Sequence, residues 1–238
     1  MLGIVGAMDA KYFLTARTTF IRFCYTEGIR PFREIQQRIA LGQHPFDNPP
    51  YSEDPEPAFM EQWSDAETAV DVLGLSCVSL LSDTLKLYFQ TLQERVIGFH
   101  FTEDEKAIAN KHGFVAAYKA ALANILDTDW ADCPARFDII EQVVLARNRG
   151  QHGEDLTSFR VSHERKSLRK HPKPFFASEA ELQTWEAFGG NENSLFRPTI
   201  EITGEKLFSA IQEIEELAAW IDGRMDKAWK WRLNAMPD

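Results

Sequence analysis

The sequence predicts a mainly α-helical protein, a helical bundle that forms a single domain over residues 1–238. Apolar residues recur every three or four positions along several long segments, which is the period of an amphipathic helix. A serine or threonine with a glutamate three residues later marks the predicted helix starts at Ser64, Thr102 and Ser178. Long adjacent amphipathic helices of this kind are typical of a bundle.

The N-terminal segment is predicted to form two helices and a loop. The first helix runs from Asp9 to about Glu27, and Gly28 is expected to end it. Pro31 suits a first helical turn and is expected to open a short second helix that ends at Gly42. Residues 42–60 contain five of the eleven prolines and are predicted to be an extended loop. The apolar stripe of the first helix is predicted to consist of Tyr12, Phe13, Ala16, Phe20 and Phe23.

The central segment is predicted to form three long helices. The first starts at the Ser64 capping box and reaches about Gly98. The second starts at Thr102 and extends to about Ile125, and Pro134 opens the third. Phe137, Ile140 and Val144 form the apolar stripe of that third helix, and Arg147 continues it.

The segment 154–202 is predicted to be a small β insertion that is rich in basic residues. Short β-like runs include Phe175-Phe176 and Thr199 to Ile202, and a short helix is expected from Ser178 to Phe188. Thr203 is then expected to cap a long last helix that reaches Met225.

Composition excludes several classes of protein. Hydrophobic residues are 44% of the chain and charged residues 26%, which indicates a soluble globular protein rather than a disordered one. The net charge of −10 excludes a uniformly basic nucleic-acid coat. The three cysteines lie far apart, which argues against a disulfide scaffold and a cysteine zinc site. With no signal peptide and no membrane-spanning stretch expected, we predict a cytoplasmic protein.

Three polar residues gather where the third long helix is expected to end. Arg147 lies on the apolar stripe, and a partly buried guanidinium needs an anion. Asn148 and His152 are four residues apart and share a face if the helix extends that far. An imidazole titrates near neutral pH and can act as acid or base, while a guanidinium stabilises the charge of a phosphodiester transition state. These groups suit RNA cleavage by the neighbouring 2′-OH, a reaction that needs no metal and no other cofactor.

The run Arg147-Asn148-x-x-x-His152 resembles the RNxxxH form of the Rx4–6H motif of the HEPN superfamily. The resemblance implies a helical bundle that forms a homodimer, in which the motif helices of both subunits line one cleft. It also implies a metal-independent endoribonuclease, often a toxin with a cognate antitoxin or an effector of phage defence. Arg147 and His152 would then be catalytic, and Asn148 would assist them.

A basic segment begins at the motif. Residues 147–173 carry a net charge of +5, whereas the remainder of the chain carries −15. Basic groups interleaved with aromatic rings are what single-stranded RNA requires, because they neutralise phosphates and stack on bases. The predicted RNA-binding residues are Arg149, Arg160, Arg165, Lys166, Arg169, Lys170 and Lys173.

Three alternatives to this interpretation remain. The basic segment can be a solvated loop whose charges interact with the acidic remainder. The chain can be a non-catalytic HEPN-like module that binds RNA or a nucleotide. It can also be a helical scaffold without a ligand, in which Arg147 pairs with a carboxylate such as Asp138 or Glu141. An exposed His152 beside Arg147 favours chemistry, and burial against a carboxylate favours the scaffold.

Overall fold

The computed structural model describes residues 2–51, 56–152, 156–190 and 196–235, with side chains from residue 10 to residue 234. About 70% of the chain is helical, and no β-strand occurs among these residues. The predicted mainly α class is therefore confirmed. The helices are α1 (Leu2–Ala40), α2 (Met60–Thr91), α3 (Glu103–His112), α4 (Phe114–Ile125), α5 (Phe137–Gly150), α6 (Arg165–Lys170), α7 (Glu179–Ala187), α8 (Gly204–Asp222) and α9 (Met225–Ala235), and a π-helical turn (Leu92–Ile97) follows α2.

The chain forms two compact units. Unit 1 consists of the segments Met1–Phe20, Leu80–Val144 and Phe208–Asp238, and unit 2 consists of Ile21–Ser79 and Leu145–Leu207. Four helices, α1, α2, α5 and α8, therefore contribute a part to each unit. The motif residues and the whole basic segment belong to unit 2.

The core of unit 1 is rich in aromatic contacts. Trp130 stacks on Trp220 with ring centroids 4.8 Å apart, and Arg224 lies 3.7 Å above the Trp220 ring. Phe89 stacks on Tyr118 at 4.7 Å. Offset ring pairs of this kind stabilise a core beyond the burial of their area.

The core of unit 2 brings α2 close to the segment before α8. A Cβ placed on Gly74 of α2 would lie only 2.8 Å from Cβ of Ile202 and 3.0 Å from its carbonyl oxygen. The Tyr25 hydroxyl donates a hydrogen bond of 3.1 Å to the same carbonyl. Position 74 therefore requires glycine. The backbone at Ile202 lies so close to α2 that any side chain at position 74 would displace Ile202.

The prediction of two N-terminal helices is wrong, because α1 continues through both Gly28 and Pro31. Gly28 packs against the side chain of Leu73 in α2, where a Cβ would still have ordinary contact distances of 3.4 Å and 3.6 Å. At Gly28, packing against the neighbouring helix therefore outweighs the low helix propensity of glycine.

Helix α1 is apolar on two opposite faces. The buried face carries Ala10, Leu14, Ile21 and Tyr25. The stripe predicted from the sequence is the other face, and its four aromatic residues are exposed. The helical spacing was therefore predicted correctly, but the buried face is not the predicted stripe.

The predicted start of α2 and the predicted end of the helix after it also differ from the structure. Helix α2 starts at Met60, so Ser64 lies inside it and is not a cap. The Thr102 capping box is confirmed, since Thr102 and Glu105 each accept a hydrogen bond from the other's backbone N–H. The helix that it opens ends at His112, because Gly113 has a φ of +86° and separates α3 from α4.

The described part of the proline-rich loop, 42–51 and 56–59, contains no helix or strand. Residues 52–55 of that loop lie outside the described residues. Helix α5 starts at Phe137, three residues after the predicted Pro134. The Thr203 hydroxyl accepts the N–H of Lys206 at 3.3 Å and caps α8 as expected, but α8 ends at Asp222 and Met225 opens a separate helix.

The small β insertion is not confirmed. In the described part of 154–202, the runs around Ser162 and Thr199 form an isolated antiparallel bridge. The same segment contains the two short helices α6 and α7, of which α7 matches the predicted helix. Glu181 does not complete the predicted Ser178 capping box, because its carboxylate accepts hydrogen bonds from the N–H and hydroxyl of Thr199.

Candidate active site

The three motif residues lie at and just beyond the end of α5. The helix ends at Gly150, and the N–H of His152 donates a turn hydrogen bond of 3.1 Å to the Arg149 carbonyl. His152 therefore follows the helix and does not continue the face that carries Asn148. Both His152 and Asn148 are exposed to solvent. An exposed imidazole can exchange protons with a bound substrate, which the scaffold interpretation does not require.

Arg147 lies at the edge of the buried face of α5. Of the predicted stripe, Ile140 is fully buried, whereas Phe137 and Val144 are half-buried. The other deeply buried residues of the helix are Ile139, Val143 and Ala146. Arg147 is half-buried, its Nε is shielded from solvent, and its Nη1 donates a hydrogen bond of 3.3 Å to Oδ1 of Asn148. This bond orients the guanidinium and the amide together at one end of the helix.

Asp138, one of the carboxylates considered for Arg147, has a different cation as its neighbour. Its Oδ2 accepts a hydrogen bond of 2.9 Å from Nη2 of Arg136. This local pair gives the Asp138 carboxylate a role that does not involve Arg147.

Arg149 fastens the end of α5 to the start of α6. Its Nε donates a hydrogen bond of 3.1 Å to the Ser162 carbonyl, and its Nη1 lies 3.6 Å from Oε1 of Glu164. Glu164 is the N-cap residue of α6. The Arg149 side chain is largely buried, so this predicted RNA-binding residue holds two segments of the chain together.

Helix α6 presents a basic face to solvent. Leu168 is buried and anchors the helix to unit 2. The four cations on the other side are all exposed, and positions spaced by one and four residues lie on a single side of a helix. We refer to these four residues, Arg165, Lys166, Arg169 and Lys170, as the α6 basic face.

Two further predicted RNA-binding residues form ion pairs within the chain. Arg160 contacts Asp71 at 3.0 Å and Glu67 at 3.1 Å, both on α2. Desolvation raises the pKa of the Asp71 carboxyl, and Arg160 opposes that rise. Lys173 lies 2.8 Å from Glu186 but is otherwise exposed.

Of the aromatic residues in the basic segment, Phe159 is exposed, Phe175 is half-buried and Phe176 is fully buried. Phe159 directly precedes Arg160, so it is the ring of this segment best placed to stack on a base. Trp185 and Trp220 are buried and serve the cores of their units.

His163 is a core histidine that the sequence did not single out for this role. Its ring Nε2 lies 2.9 Å from the Phe176 carbonyl and donates to it, since a carbonyl only accepts. Desolvation lowers the pKa of His163 to about 4, although the Phe176 hydrogen bond opposes this shift. His163 is therefore neutral at pH 7 and takes no part in binding phosphate.

The described residues hold no group of three or more histidine, cysteine or acidic side chains able to bind a metal ion. What the site offers is a guanidinium, an amide and an exposed imidazole at one helix end, with a basic helix attached through Arg149.

No protein-family model, curated protein or solved structure matches the chain. The helical segment Met60–Ile97 is long and apolar enough to cross a membrane by length and composition, and half of its most apolar window is buried inside the protein. The core helix of a soluble protein has the same properties, so this segment is weak evidence about location.

Proposed function

We propose that this chain is a metal-independent endoribonuclease with an HEPN-like helical bundle, acting as a homodimer on single-stranded RNA. The observation that supports it best is the attachment of the α6 basic face to the motif helix through Arg149. A strand bound on that face lies beside the end of α5, where the guanidinium and imidazole are.

Binding is assigned to the α6 basic face and the exposed ring of Phe159. The four cations neutralise successive phosphates, and an aromatic ring supports an unpaired base by stacking. Arg149 and Arg160 support this surface through their contacts with the rest of unit 2 and are not themselves assigned to RNA. Lys173 is assigned a phosphate contact that is weaker than those of the α6 basic face, because Glu186 competes for its ammonium group.

Chemistry is assigned to His152 and Arg147, with Asn148 holding the guanidinium through the hydrogen bond to Nη1. The neutral imidazole removes the proton of the 2′-OH, whose oxygen attacks the adjacent phosphorus. The bond from phosphorus to the 5′-oxygen breaks, and that oxygen takes a proton from an imidazolium. In the shared cleft that the resemblance implies, His152 of the second copy supplies this proton. The guanidinium stabilises the charge on the phosphoryl oxygens in the transition state.

A non-catalytic RNA-binding module is the second candidate function. It is favoured by the position of His152 beyond the last turn of α5, where the helix does not fix the ring relative to Arg147. This candidate keeps the α6 basic face and predicts binding without cleavage.

The deciding experiment is incubation of the purified protein with RNA in EDTA, followed by analysis of the ends of the products. We expect a 2′,3′-cyclic phosphate and a 5′-hydroxyl, and no reaction when the cleaved position is a 2′-deoxynucleotide. Arg147→Ala and His152→Ala should each lower the rate by on the order of 10²-fold or more, the usual loss for a charge stabiliser or a proton-transfer group.

The matched control is the pair Arg38→Ala and His44→Ala. Arg38 and His44 have the same loose Rx4–6H spacing, and His44 is exposed in the proline-rich loop. These variants should cleave at the wild-type rate. Cleavage that requires a divalent metal, or that is equally fast in the His152 variant, rejects this mechanism. RNA binding with no cleavage supports the second candidate.

A further inference from the structure

Two of the three cysteines face each other where α1 packs against α2 in unit 2. Cys24 lies on α1 and is half-buried, whereas Cys77 lies on α2 and is only 1% exposed. Both are free thiols. The Cys77 side chain forms a hydrogen bond with the Cys24 side chain. The two sulfur atoms are therefore in contact, although the residues are 53 positions apart in the sequence.

The packing of the two helices independently places these cysteines opposite each other. Gly28 of α1 lies against Leu73 of α2, where a Cβ on the glycine would be 3.4 Å from the leucine side chain. Cys24 is four residues before Gly28, and Cys77 is four residues after Leu73. Because a step of four residues returns to the same side of a helix, an antiparallel pair that joins Gly28 to Leu73 also joins the two cysteines.

A contact in unit 1 has the same register. Nε of Arg17 on α1 donates a hydrogen bond of 3.1 Å to the Thr84 hydroxyl on α2. Arg17 is seven residues before Cys24 and Thr84 is seven residues after Cys77, and a step of seven also returns to the same side of a helix. Residue numbers rise along α1 as they fall along α2, which is the arrangement of an antiparallel pair.

We propose that Cys24 and Cys77 form an oxidative modification site, at which hydrogen peroxide produces a reversible disulfide between α1 and α2. Disulfides of proteins in a reducing compartment are usually transient and respond to oxidants, which agrees with two thiols that are free but already in contact. This inference does not depend on the proposed ribonuclease activity.

The surroundings of the two sulfur atoms give them different roles. Burial, together with the charge and hydrogen bond of Cys24, raises the pKa of the Cys77 thiol to about 12. Cys77 is therefore a neutral thiol near pH 7, and it donates its S–H to the Cys24 sulfur. Cys24 is the thiol of this pair that solvent reaches, so peroxide reacts with Cys24 first and Cys77 resolves the product.

The reaction consists of two displacements at sulfur. The Cys24 thiolate attacks one oxygen of hydrogen peroxide and the O–O bond breaks. The product is a sulfenic acid, and the departing hydroxide takes the proton that the Cys24 thiol released and becomes water. The Cys77 sulfur then attacks the sulfenic sulfur, the S–O bond breaks, and the hydroxide leaves as water with the Cys77 proton. Two thiols are oxidised by two electrons, and one peroxide is reduced to two molecules of water.

The disulfide fastens α1 to the part of α2 that supports the candidate site. Leu75 lies against Gly150 at the end of α5, where a Cβ on the glycine would be 3.4 Å from the leucine side chain. Asp71 accepts a hydrogen bond of 3.0 Å from Nε of Arg160. Linking two residues 53 positions apart also restricts the unfolded chain, so the oxidised protein should be harder to unfold.

The test treats the purified full-length protein with hydrogen peroxide, unfolds it and blocks the remaining thiols with N-ethylmaleimide. Mass spectrometry of the whole chain and of its peptides then identifies the joined cysteines. We expect a linkage between Cys24 and Cys77 within one chain, maleimide on Cys133, and recovery of all three thiols after dithiothreitol. In urea, oxidation should raise the equilibrium constant for folding by on the order of 10²–10³-fold.

Three alanine variants separate the roles of the cysteines, and circular dichroism checks that each remains helical. In Cys77→Ala the sulfenic acid on Cys24 has no thiol partner, so dimedone, a reagent for sulfenic acids, should label Cys24. In Cys24→Ala the buried Cys77 should stay unoxidised under the same treatment. Cys133→Ala is the matched control and should form the disulfide as wild type does.

A wild-type chain in which peroxide does not join Cys24 to Cys77 overturns the proposal, including one in which Cys24 proceeds to a sulfinic acid. A linkage through Cys133, a linkage between two chains, or oxidation of Cys77 in Cys24→Ala at the wild-type rate also overturns it. The readout is the mass of the chain, so a failure of RNA cleavage in EDTA leaves this result unaffected and the two proposals fail separately.

Discussion

The buried His163 should make the stability of the protein depend on pH. Burial lowers the pKa of its imidazole from 6.5 to about 4 in the folded chain. Between these two values the unfolded chain binds a proton that the folded chain does not, so acidification favours unfolding. The contribution of the neutral, buried His163 to the free energy of unfolding is therefore fully present above about pH 6.5. It is lost progressively as the pH falls towards 4.

The size of the effect follows from the shift. A difference of about 2.5 pKa units corresponds to about 3 kcal/mol in the free energy of unfolding once both states are protonated. By pH 5, about 2 kcal/mol of this should already be lost. Carboxylates titrate in the same range, so the contribution of His163 has to be isolated by substitution.

The assay is urea unfolding of wild type and His163→Gln at pH 7.5 and pH 5. The glutamine amide can keep the hydrogen bond to the Phe176 carbonyl but does not titrate. The loss of stability between the two pH values should be about 2 kcal/mol smaller in this variant than in wild type. His152→Gln makes the same change at an exposed histidine and should behave as wild type does. An equal pH dependence in wild type and His163→Gln would refute the reasoning.

Two further predictions concern packing and RNA binding. Gly74→Ala should destabilise the protein by about 1–3 kcal/mol in urea unfolding, because the new methyl group meets Ile202; Gly150→Ala, where a Cβ has ordinary contacts, is the control and should be neutral or slightly stabilising. Replacing all four residues of the α6 basic face with alanine should reduce the slope of log affinity against log salt for single-stranded RNA by roughly 3, at about 0.7 per lost contact. Arg160→Ala removes an ion-paired cation and should leave that slope nearly unchanged; equal slopes in wild type and the four-residue variant contradict the assignment.

The helical class was predictable because helical periodicity and capping are local properties of a sequence. The Thr102 box and the Thr203 cap are correct for that reason. The break predicted at Gly28 was wrong because it depends on Leu73, a residue 45 positions away, and propensity does not include such contacts. Periodicity also could not determine which of the two apolar faces of α1 is buried.

The sequence could predict which residue types form the candidate site. It could not predict which of them face solvent and which hold segments of the chain together. Arg149 and Arg160 look in the sequence like the exposed arginines of α6. Their roles are set by Ser162, Glu164 and Asp71, which only the fold brings within reach. His163 had no distinguishing signal, since burial of one histidine in a basic segment leaves no periodic pattern.

The Arg149 contact also determines where the chain can change in length. The hydrogen bond from Arg149 to the Ser162 carbonyl holds together two residues that are 13 positions apart, and so fixes both ends of the stretch between them. The entropy lost on closing such a stretch grows only with the logarithm of its length, so doubling it costs about 0.6 kcal/mol. Leu156 within this stretch is fully exposed. A peptide tag or reporter inserted after Leu156 should therefore leave α6 in its position, because Arg149 holds the stretch at both ends.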